Sequence, residues 1–225
     1  RLSVTHRAAQ RLPWAAVHAR HMAAALPLAR PSAATSAALS TAATSAAPLV
    51  LEYPLQGLNG ATAALVRDLG GRSPAAVVVS PEASLDDIAT LTARLARLDP
   101  APAVEALAFG RVQVLHTRDR LGSAEGLIGL AHPGGLESLS LEDAKGYVFP
   151  VEVGDRGTQV FNARVTNLAG NLDELRAAGV ARFLVVQRDL SPDEGRAFAS
   201  GGLPALAAFV ARERTTTGHL FRGVA

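Results

Sequence analysis

Apolar residues along the chain fall into short unbroken runs separated by stretches of helical spacing. Leu49-Val-Leu-Glu-Tyr53 reads as a short buried strand. Leu58 to Leu69 follows as a helix, with apolar positions at Leu58, Ala61, Leu65 and Leu69 and the Gly70-Gly71 pair as its C-cap. Ala76-Val-Val-Val-Ser80 is the next strand. Ser84 predicts an N-cap, with Asp86 and Asp87 in the first turn of a helix that runs towards Leu98. Ala103 to Phe109 is a third strand and Ala181 to Gln187 a fourth, the latter preceded by a helix from Leu172 to Ala178 capped by Gly179. Ser191 and Pro192 open a last helix. The strands are apolar throughout rather than alternating, and helices lie between them. That pattern predicts an α/β fold with a parallel sheet, helix-covered and joined by right-handed crossovers.

Two stretches break this rhythm. Residues 110–170 are Gly-rich and contain Lys145-Gly-Tyr-Val-Phe-Pro-Val-Glu-Val153 and Gly157-Thr-Gln-Val-Phe-Asn162. These runs flank Gly154-Asp-Arg156 and predict a β-hairpin, inserted after the third strand. Residues 1–47 differ again. Arg7 to Leu28 has the spacing of a helix interrupted by Pro13 and Pro27, and Pro31 to Pro48 is an uncharged Ala/Ser/Thr tract that cannot drive a core. This segment reads as an extension or linker before a domain at 48–225; its Arg-rich, acid-poor composition is also that of an organelle transit peptide.

Charge sharpens the division. Residues 1–47 hold five Arg and no acid, so the remaining 17 basic and 20 acidic residues give 48–225 a net charge of −3. Nucleic acid is therefore expected to bind only through the Arg-rich N-terminal segment. Only Lys145 among the 22 basic residues is a lysine, which fits codon bias as well as function. The absence of Cys excludes a disulfide framework, a thiolate metal site and a cysteine nucleophile. No apolar run is long enough for a transmembrane helix, so no membrane is expected, and with no secretory signal and no Cys the location expected is cytoplasmic. Position 1 is Arg, which fits a processed or truncated chain.

Six fragments, in order, carry a resemblance: Leu55-Gln-Gly-Leu-Asn59, Val77-Val-Val-Ser-Pro-Glu82, Phe109-Gly-Arg111, Leu141-Glu-Asp-Ala-Lys-Gly-Tyr-Val-Phe-Pro150, Val160-Phe-Asn162 and Thr217-Gly-His-Leu-Phe-Arg-Gly-Val224. Together they resemble the collagenase-like peptidase family U-thirty-two. The resemblance implies a TIM-like barrel, of which about four parallel βα units are present, so the chain is expected to be a partial barrel. Its open sheet edge needs covering by a second copy, a partner chain or the N-terminal segment. It also implies a hydrolase of the peptidase type. Many members of that family carry four Cys around a four-iron–four-sulfur cluster and hydroxylate RNA or quinone precursors. Here Arg120 and Arg156 stand near the matching positions, and arginine cannot ligate such a cluster. Cluster chemistry is thus not expected, and the alternative to a peptidase is a non-catalytic scaffold or accessory protein without the cluster.

Chemistry in such folds sits at the carboxyl ends of the strands, which brings Gln56, Asn59, Glu82, Arg111, His116 and Arg188 into consideration. Glu82 is a candidate general base, read against an acid in the turn before the helix. Asp143 and Lys145 at the hairpin mouth are candidate catalytic groups, read against a surface turn with an ion pair. Asn59, Arg111, Tyr147, Asn162 and His219 are candidate substrate contacts. His116, His132 and Glu105 are the candidate zinc ligands, but they lack the local spacing of a zinc motif, so no cofactor is expected. No Gly-x-Ser-x-Gly elbow and no phosphate-binding Gly-x-x-x-x-Gly-Lys pattern is present.

Overall fold

The short Val- and Leu-rich runs become strands in the computed structural model, which describes residues 17–19, 48–53, 60–71, 73–119, 139–154, 157–209 and 214–222. In chain order the elements are β1 (Val17–Ala19), β2 (Leu49–Leu51), α1 (Ala61–Gly70), β3 (Ala76–Val78), α2 (Leu85–Leu95), β4 (Ala103–Gly110), β5 (Gln113–Thr117), β6 (Ser140–Glu142), β7 (Val148–Gly154), β8 (Gly157–Phe161), β9 (Val165–Asn167), α3 (Leu172–Ala177), β10 (Val180–Val185), α4 (Pro192–Gly201) and β11 (Thr215–Thr216). They fall into two compact units. The first holds the chain up to Leu107, Asn171–Leu184 and the residues from Gly218 onward; the second holds Ala108–Gly170 and Val185–Thr217.

The first unit has the α/β character expected. β1, β2, β3 and β4 are parallel neighbours in sequence order, and β10 also pairs with β4. The register aligns Val50 with Ala76 and Ala76 with Ala103. Leu49, Val50 and Leu51 are all buried, as are Ala76, Val77 and Val78, so both faces of these strands are covered. Val50, Ala76 and Val78 form one core cluster, packed against Tyr53, Ala103 and Leu184.

Helix α1 ends on Gly71 in the left-handed region, whose N–H reaches the Arg67 carbonyl. Its buried stripe is Ala63, Val66 and Gly70, whereas Leu65 and Leu69 are 46% and 52% exposed. The face expected from the leucine spacing is therefore the outer one. The smaller side chains turn inward and let the helix backbone approach its support. Helix α2 starts in a capping box: Asp87 N–H donates to Ser84 Oγ (3.2 Å) and Ser84 N–H to Asp87 Oδ2 (2.9 Å). The Ser84 hydroxyl also donates to Asp87 Oδ2 (2.7 Å), and this bond, with that from Ser84 N–H, holds the Asp87 carboxyl below its ordinary pKa. Ile88, Leu91 and Leu95 are its buried face. Gly179, at φ +98°, lets the α3 end meet α2; a Cβ there would lie 2.4 Å from Thr92 Cγ2.

Residues Val17–Ala19 correct the helix expected over 7–28. They form β1 and pair in parallel with β2, Val17 opposite Leu49. The exposed backbone edge of β2 offers hydrogen bonds that outweigh a weak helical pattern already broken by proline. The N-terminal segment thus supplies a strand to the edge.

In the second unit the expected hairpin forms as β7 and β8, antiparallel, with Gly154 opposite Gly157. It is the centre of a four-stranded sheet in the order β5-β8-β7-β6, larger than the hairpin alone. Gly157, at φ +114°, is required by close packing: a Cβ would lie 2.0 Å from the Thr117 carbonyl oxygen. The end of β4 pairs antiparallel with β9, Phe109 opposite Asn167, and β9 pairs in parallel with β11. Phe109, Val165, Ala169 and Leu206 form the core here, with Phe198, Leu203 and Phe209 packed against it. Buried Asn167 is satisfied on both sides: Nδ2 donates to the Leu206 carbonyl (3.0 Å) and Oδ1 accepts from Ala169 N–H (3.1 Å). Helix α4 opens in a second capping box, between Ser191 and Glu194, with proline at its first turn. Among the described residues no helix is long and apolar enough to cross a membrane.

Candidate functional site

The fragment Phe109-Gly-Arg111 leaves β4 through Gly110 (φ +146°), where a Cβ would lie 2.6 Å from Val186 Cγ2. The chain then turns so that Arg111 faces the loop after β8. Its Nη1 donates to the carbonyls of Asn162 (2.7 Å) and Ala163 (2.5 Å), and its own N–H donates to Asp189 Oδ2 (2.7 Å). Asn162 N–H in turn donates to the Val112 carbonyl (2.8 Å). Two of the singled-out fragments, 109–111 and 160–162, are thus joined directly. Partial burial lowers the Arg111 pKa; Asp189 opposes this and Arg214 adds to it. The guanidinium remains a cation, held as a backbone clamp.

The same loop positions Arg164. Its N–H donates to Asn162 Oδ1 (3.3 Å), and its guanidinium lies 5.7 Å from the centre of the Tyr147 ring. Tyr147, 41% exposed, stands at the start of β7. The turn before it is built by Asp143, whose Oδ1 accepts from the N–H groups of Lys145 (2.8 Å) and Tyr147 (2.9 Å). Gly146 at φ +80° completes the turn. Asp143 and Lys145 are both exposed, and among the described residues they form no ion pair with each other. Asp143 meets the backbone of Lys145, not its ammonium.

In the first unit, Glu82 sits in the turn after β3, exposed, with its N–H on Ser80 Oγ (3.2 Å). Ser84, not Glu82, caps α2. The fragment 218–222 lies beside this turn. Leu85 N–H donates to the Leu220 carbonyl (3.0 Å), and a Cβ on Gly218 would lie 3.5 Å from the Pro81 carbonyl oxygen. His219, half-buried, falls between these two contacts along the chain. The Ser-Pro-Glu and Gly-His fragments are therefore neighbours.

Glu105 is buried on β4, and its Oε1 meets Arg182 Nε at 2.7 Å. His116 is exposed on β5, opposite Gln159. Among the described residues no three His, Asp or Glu side chains come together as a metal site. Gln56, Asn59 and His132 lie outside the described residues, as do Arg120 and Arg156.

Sequence reasoning missed a buried ion pair. Glu194 is fully buried; its Oε2 accepts from Ser191 N–H (2.8 Å) and Ser191 Oγ (3.0 Å) and pairs with Arg214. Burial raises its pKa, but the Ser191 bonds and Arg214 outweigh this and leave it below the ordinary value. Arg188 pairs with Glu152 (2.6 Å) and lies 4.7 Å from the centre of the Phe161 ring. The Ser-x-x-Glu spacing of 191–194 was a readable signal for the capping box; nothing local marks Arg214 as its partner. No protein-family model, no curated protein and no solved structure matches this chain.

Proposed function

We propose that the chain is a cysteine-free, non-catalytic relative of the collagenase-like peptidases, a partial TIM-like barrel that acts as a scaffold or accessory to a partner chain or a second copy. One observation carries this reading. Two charged groups of the family-like fragments are spent on the backbone: Arg111 on the carbonyls of Asn162 and Ala163, Asp143 on the N–H groups of Lys145 and Tyr147. The Arg111 Nη1 and Asp143 Oδ1 atoms so engaged are taken up by the fold and are not the atoms that would meet a substrate. The sequential parallel order β1-β2-β3-β4 favours the barrel relation, since doubly wound sheets reverse their order at a switch point. Native mass spectrometry of the gently purified chain tests the reading. A dimer or hetero-complex free of metal is expected. A monomer carrying stoichiometric zinc or iron overturns it.

A second reading, a hydrolase, is favoured by the approach of 218–220 to 81–85, which brings His219 near the Glu82 turn. In it, Glu82 acts as general base and His219 contacts the substrate. Digestion of casein or denatured collagen, compared with Glu82→Gln, separates the two readings.

A further inference from the structure

We draw no further inference here: the strongest candidate, the face of the four-stranded antiparallel sheet that carries Leu115, Val160, Val151, Phe149 and Leu141, leaves Leu115 and Leu141 48% and 46% exposed at its two edge strands, and nothing in the structure shows what covers it.

Discussion

Two places in the molecule join segments far apart in sequence, and they do so by different means. Around Arg111 a main-chain bond, Asn162 N–H to the Val112 carbonyl, is reinforced by a charged side chain bonded to carbonyls 51 and 52 residues away. Beside Glu82 the join is a main-chain bond, Leu85 N–H to the Leu220 carbonyl. The first means commits the functional group to the fold. The second holds the segments together while leaving the Glu82 side chain exposed. The first place is therefore where substitutions test stability, and the second where they test the proposed hydrolase reading.

The largest effect is expected where burial and charge coincide. Glu194→Ala leaves Arg214 without its carboxylate partner and should cost about 3 kcal/mol, read from urea unfolding. A loss no larger than that of an exposed pair would break the distinction. The same group sets an acid limb. Its folded carboxyl lies below its ordinary pKa, so its stabilisation is complete above the ordinary carboxylate range and fades as pH falls through the folded value. Glu194→Gln should flatten melting temperature against pH in that window; an unchanged slope would assign the acid limb to other groups.

Arg111→Ala comes next. Two charge-assisted bonds to carbonyls are lost, for about 2 kcal/mol. Arg111→Lys should recover only part of this, because both bonds come from Nη1, which lies farther along the side chain than a lysine ammonium. Full recovery would mean that charge rather than geometry is what matters. Ser84→Ala should cost about 1 kcal/mol, the ordinary worth of an N-cap. Lys145→Ala should be the smallest, within about 0.5 kcal/mol, as for an exposed side chain away from packing. A large loss there would contradict the assignment of 143–147 as a surface turn.

The local signals were readable where one element decides its own form. Ser84 and Ser191 cap helices as their sequences say, and Gly154 and Gly157 flank the hairpin turn. The apolar runs at 49–51 and 76–78 gave parallel strands because both of their faces are buried. What failed depends on distant partners. Val17–Ala19 is a strand because β2 has an edge to pair, a fact absent from the local spacing. β9 and β11 are three and two residues long, too short to show any period. The leucine stripe of α1 pointed outward because its smaller residues took the core side. Among the candidate residues, Asp143 was legible from the alternative reading of a surface turn, but not the partner: its carboxylate meets the N–H groups of Lys145 and Tyr147, where that reading placed an ion pair. The engagement of Arg111 with the 162–163 carbonyls was not, since nothing in either segment names the other.

We propose that Arg111 and Asp143 serve the fold rather than a reaction. Hydrolysis of casein and of denatured collagen by the full chain, beside Glu82→Gln and His219→Ala, tests it most directly. No turnover above the blank is expected from any of the three proteins. Turnover by the unaltered chain that vanishes in Glu82→Gln, with an unchanged melting temperature, would contradict it.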